Sequence, residues 1–182
     1  MDEELISAIN NWQKVPLGSS GRANLDETDL FWKCVFERYP ELRYPEGRPL
    51  YRIFQGGDPE PEFGDFPDWE AYGAASQKEL FDERHKRWEE QRDPSSIRFD
   101  GHWVSFTKAP EHFMDSYYAS KSLRGLVIEI KARNAVDISS VPARGNVQAE
   151  QEVVAPMNRS DLIRIMPFDD LKRDYFEKEK HE

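Results

Sequence analysis

Three short patterns carry residue types suited to chemistry on a charged small molecule. The first is Arg52, inside the apolar run LYRIF that follows Pro49 and leads to Gly56-Gly57. Pro is tolerated at the first residue of a strand and a double Gly bends the chain after it, so this run predicts a strand. A guanidinium in or beside a buried strand cannot shed its charge and requires an anion. It either pairs with one of the chain's own carboxylates or forks onto a phosphate or carboxylate ligand. The second pattern is Ser105-Phe106-Thr107, at the end of the strand predicted over IRFDGHWVSFT, with a helix expected from Pro110. The third is Glu150-Gln151-Glu152, directly before Val153-Val154-Ala155. In extended chain, residues i and i+2 point the same way, so both carboxylates can face one opening at a loop-to-strand junction. Like charges held together are costly without a cation or a shared proton. Alone, Glu-X-Glu says little in a chain with 35 acidic residues.

The order of the three patterns says more than any one of them. A strand Arg at 52, a strand-end Ser-X-Thr at 105–107 before a helix, and a Glu-X-Glu at 150–152 opening an apolar strand resemble the Arg–Ser–Glu class of ADP-ribosyltransferases. That class includes bacterial toxins and the ecto-enzymes that modify arginine. The resemblance runs from about Leu50 to Phe168, and LVIEIKARNAVDISS leading into AEQEVV is especially similar.

The resemblance implies an α+β fold around a split, twisted pair of sheets with an NAD-binding cleft between them. NAD would be a co-substrate, and no metal is expected. Arg52 falls on the arginine that contacts the dinucleotide phosphates and supports the nicotinamide-ribose site. Ser105 falls on the serine that positions the catalytic glutamate, and Thr107 on the third position of that motif. Phe106 departs from the commoner small polar residue at the middle position. Glu152 falls on the catalytic glutamate, which stabilises the ribosyl cation as nicotinamide leaves. Residues 140–151 become the target-recognition turn, with Glu150 directing the guanidinium of an acceptor arginine. A register two residues earlier would put Gln148 and Glu150 in those two places and change the target chemistry. Gly56 would sit at a close approach to the dinucleotide. His102, Trp103, Phe106 and Tyr118 are either walls of that site or core. The GxGxxG fingerprint of a Rossmann fold is absent.

The implied activity is transfer of ADP-ribose from NAD to an arginine of a target protein, with a cognate inhibitor as a second partner if the protein is a toxin. Two alternatives stay open: an NAD glycohydrolase of the same fold, in which water intercepts the ribosyl cation, and a noncatalytic domain whose acidic loop at 58–70 binds a basic protein.

Several elements must position these residues. A helix over 1–15 presents Leu5, Ile6, Ile9 and Trp12 on one side, and a second over Thr28–Tyr39 presents Leu30, Phe31, Cys34, Val35 and Phe36. These form a helical front layer (1–45) before the core (46–170) and a polar tail (171–182), all in one domain. Cys34, flanked by apolar and aromatic residues, is expected to be a buried thiol. Ser76 and Glu79 stand at capping-box spacing before a charged helix. LRGLVIEIKA (123–132) is the strongest strand signal, with AVDISS continuing the same edge and RSDLIRIMPF forming a last strand.

Composition sets the outer bounds. The chain has 182 residues, 38% hydrophobic and 33% charged, which is enough apolar content for a core and argues against a collagen-like or disordered chain. Its net charge of −10 repels nucleic-acid backbones and anionic membranes, so neither is an expected partner. A single cysteine excludes an intrachain disulfide and a multi-cysteine zinc site. The acidic start MDEELISAIN lacks the charged and apolar regions of a secretory signal, and no apolar window is long enough to span a bilayer. The expected location is cytoplasmic, reached directly or by delivery into a target cell.

Overall fold

A computed structural model describes residues 3–12, 25–54, 60–62, 64, 74–114, 125–143, 148 and 150–179. The architecture is α+β, with a six-stranded antiparallel sheet and four α-helices among the described residues. The helices are α1 (Glu3–Trp12), α2 (Leu25–Arg38), α3 (Ala74–Arg92) and α4 (Phe168–Glu179). The strands are β1 (Pro49–Phe54), β2 (Asp100–Thr107), β3 (Leu126–Lys131), β4 (Val136–Asp137), β5 (Glu152–Asn158) and β6 (Leu162–Pro167). Across the sheet they run β4-β5-β2-β1-β3-β6. None of the described helices is long and apolar enough to cross a membrane.

Contacts group the chain into two compact units. One comprises Met1–Arg52, Phe99–His112 and Glu129–Arg164; the other comprises Ile53–Arg98, Phe113–Ile128 and Ile165–Glu182. Arg52, Ser105, Thr107, Glu150 and Glu152 all belong to the first unit, whose core therefore positions the site.

That core forms where α1 and α2 meet the sheet. The expected stripe on α1 is present: Leu5 and Ile9 are buried, and Ile6 and Trp12 pack against them. Trp32 and Val35 of α2 join Trp103 of β2, Val136 of β4 and Val154 of β5 in the same cluster. An edge-on contact between the Trp12 ring of α1 and the Trp32 ring of α2, at 4.9 Å between centroids, ties the two helices together.

The stripe expected on α2 holds in part: Val35 is buried and Phe31 and Phe36 pack against the cluster, whereas Leu30 is 64% exposed and Cys34 is exposed, because the helix turns Trp32 inward. Flanking apolar residues in sequence do not bury a helical thiol when they lie on the opposite side of the turn. Helix α3 already begins at Ala74, so Ser76 lies inside it rather than at its cap.

On β3 every residue from Leu126 to Ile130 is buried, so both faces of this strand are covered. The segment after it does not continue that edge. Asn134 adopts φ 53°, a left-handed conformation that Asn tolerates better than most residues, and β4 pairs with β5 at the far end of the strand order. The tail expected from 171 is helical through Glu179, with Phe168 and Leu171 buried and Asp169 and Asp170 in the first turn, where acids suit the helix dipole.

Candidate active site

Arg52 lies partly buried on β1, and its guanidinium Nη1 donates to the Ser105 carbonyl at 2.6 Å across 53 residues of sequence. Burial pushes the Arg52 pKa down and the Glu152 carboxylate pushes it back up. Arginine stays protonated in proteins, so the consequence is an attraction between two desolvated charges. The contact with Ser105 uses its backbone carbonyl.

Register fixes the rest of the site. Thr107 faces Glu152 across β2 and β5, Ser105 faces Val154 two residues on, and Tyr51 of β1 faces Thr107. Tyr51, Thr107 and Glu152 thus form one row over three adjacent strands. Glu152 is the first residue of β5 and is 6% exposed, a depth at which a carboxylate needs a cation or hydrogen-bond donors. Its own backbone is tied down as well, since the Ile138 N–H donates to the Glu152 carbonyl at 3.1 Å.

Glu150 sits in the turn before β5. The Thr107 hydroxyl donates to the Glu150 carbonyl at 2.7 Å, with the Ala109 carbonyl a longer acceptor at 3.2 Å, and accepts the Ala109 N–H at 3.0 Å. The Lys108 N–H donates to the Gln151 carbonyl at 3.2 Å. Gln151 itself is left-handed, at φ 49°, and its side-chain amide donates to the Gln148 carbonyl at 2.6 Å. This kink ends the turn and starts the strand, so Glu152, not Glu150, opens β5.

The expected site residues therefore fall into distinct groups. Arg52 reaches the Ser105 carbonyl and feels the charge of Glu152, and Glu150 lies on the turn leading into Glu152. Thr107, expected at the cofactor, spends its hydroxyl on the turn and is 5% exposed, so it braces the site from behind. Phe106 pairs with Val153 and is 3% exposed, and Trp103 is core at 5%, which leaves little of either ring for a dinucleotide. His102 turns to Asp29. Gly56 and Tyr118, like most of the acidic loop at 58–70, lie outside the described residues.

Two polar clusters escape a reading of sequence alone. Glu129, buried in β3, accepts from Arg164 Nε at 2.5 Å and from the Tyr51 hydroxyl at 3.3 Å. Burial, followed by the charge of Glu129 and the hydrogen bond to it, pushes the Tyr51 pKa up to about 12. A lone acid inside LVIEIK was the available signal, but its partners stand 35 and 78 residues away. The second cluster is Asp26, Asp29 and His102, each with a ligand-type atom within 4.8 Å of the others. The i,i+3 spacing of the two Asp residues is visible in sequence, while their meeting with β2 is not.

Comparison with known proteins adds no relative: no family model, curated protein or solved structure matches the chain.

Proposed function

We propose that this protein is an NAD-dependent mono-ADP-ribosyltransferase that modifies an arginine of a target protein. The observation that carries the reading is the meeting of Arg52, Ser105 and Glu152. Three residues from separate thirds of the sequence meet where β1, β2 and β5 adjoin, with a desolvated guanidinium on the Ser105 carbonyl and a buried carboxylate acting on it.

The chemistry follows from the charges. Arg52 offers the planar fork that suits the pyrophosphate of NAD. As the bond between ribose C1′ and the nicotinamide nitrogen breaks, its electron pair leaves with nicotinamide and positive charge develops on the ribose. Glu152, held by the backbone of β5 and accepting from a ribose hydroxyl, lies where that charge appears. A fixed anion in a water-poor site stabilises the transition state more than the ground state. An acceptor guanidinium nitrogen then attacks C1′, and Glu150 takes the proton that it sheds. The depth and strand position of Glu152 favour it over Glu150 as the catalytic carboxylate, and thereby favour the register in which an acid rather than Gln148 directs the acceptor.

Incubation with NAD labelled in its adenylate half, together with a cell lysate, tests the reading. Label transferred to protein is the expected result. Nicotinamide release without transfer would indicate the glycohydrolase alternative, and no release at all would contradict an enzyme of this class.

A further inference from the structure

Lys108, the residue after the Ser-X-Thr pattern, ties the end of β4 to the turn that carries Glu150. Its ammonium donates to Asp137 Oδ2 at 2.6 Å and to Ser139 Oγ at 2.8 Å, and its backbone N–H donates to the Gln151 carbonyl. Asp137 ends β4 and accepts from the Ser139 N–H at 3.0 Å and the Ser139 hydroxyl at 2.6 Å. The three side chains therefore form a closed cluster. The Lys108 and Asp137 side chains are 24% and 23% exposed, so solvent screens their charges less than those of a surface pair.

On the other side, the neighbouring Thr107 holds the Glu150 carbonyl, and Ile138, next to Asp137, holds the Glu152 carbonyl. Thr107 at the end of β2 and Lys108 directly after it thus bracket the 150–151 turn against the end of β4. The turn depends on such brackets, because Gln151 adopts a left-handed conformation that a non-glycine residue disfavours.

We infer that Lys108 is a positioning residue for the acceptor: its bracket fixes where Glu150 presents its carboxylate to an incoming guanidinium, while its own ammonium stays committed to Asp137 and Ser139. This rests on the reading of Glu150 as the acid that directs the acceptor. The bracket separates the two halves of the reaction, since NAD cleavage needs Arg52 and Glu152 in place and transfer needs Glu150 as well.

The test compares Lys108→Met, Asp137→Asn and Lys108→Arg with the unaltered protein at one NAD concentration. It reads nicotinamide released and label transferred to an arginine-rich protein in parallel, with thermal melting on each variant. Lys108→Met and Asp137→Asn should keep nicotinamide release within about twofold and lower label transferred per nicotinamide about tenfold, in line with the cost of misplacing a reacting group. Lys108→Arg should restore most of that ratio. Asp137→Asn keeps the shape of the cluster and reads the same ratio if Lys108→Met does not fold. An unchanged ratio, or loss of both readouts in step in a variant that melts normally, overturns the inference. Unaltered protein that releases nicotinamide but labels no protein removes the acceptor role itself and also overturns it. Unaltered protein that releases none rejects the transferase reading at the earlier step, and the inference falls with it.

Discussion

Asp29 of α2 grips two successive residues of β2, holding His102 Nδ1 at 2.7 Å with one oxygen and accepting the Trp103 N–H at 2.8 Å with the other. The tie fastens the helical layer to the strand that carries Ser105. It also makes stability depend on pH. The hydrogen bond to Asp29 raises the His102 pKa above its usual 6.5; partial burial opposes the rise, and the charges of Asp100, Asp29 and Asp26 add to it. A raised pKa in the folded state means that the stabilisation is fully present below pH 6.5 and is lost as pH rises through the folded value. Melting temperature should therefore fall as pH is raised from about 6 to about 8.5, and His102→Gln should flatten that slope. Parallel pH profiles for the two proteins would contradict the role given to this pair.

Arg52→Lys should weaken NAD binding while leaving the fold intact. An ammonium can occupy the position but cannot reproduce the fork that a guanidinium presents to a pyrophosphate. We expect KM for NAD to rise about tenfold or more, with a smaller change in kcat. An unchanged KM would remove Arg52 from the NAD site.

The strand order was not legible in the sequence, although most strands were. LYRIF, HWVSFT, LVIEIK and EVVAP each announce themselves by apolar runs bounded by Pro, Gly or charge, and each is a strand at nearly the expected place. The approach of Arg52 to the Ser105 carbonyl is not written in any periodicity, because a contact across 53 residues and the pairing of β2 with β5 leave no local trace. Helix α2 shows the opposite failure. Five apolar or aromatic residues offer more than one helical stripe, and only packing against Trp103 decides that Trp32 and Val35 go inside. The bracketing role of Thr107 and Lys108 was equally hidden, since it uses backbone carbonyls that no side-chain pattern encodes.

Glu150→Gln should separate transfer from cleavage. Gln keeps the size of the side chain and can accept a hydrogen bond, but supplies neither the charge that pairs with a guanidinium nor the basicity that removes its proton. Label transfer to an arginine-rich protein is expected to fall about 100-fold with nicotinamide release little changed. Unchanged labelling would reject Glu150 as the acceptor-directing acid, and proportional loss of both would place it in the chemistry common to cleavage and transfer.

Glu152→Gln is the most direct measurement. The substitution nearly preserves shape at a position that is 6% exposed, so folding and much of the NAD binding should survive, while the anion aimed at the developing ribosyl cation is gone. Nicotinamide release at saturating NAD should fall roughly 100- to 1,000-fold, the loss typical of removing one preorganised electrostatic group. Release by the folded variant at the rate of the unaltered protein would contradict the assignment of Glu152 as the catalytic carboxylate, and with it the proposed function.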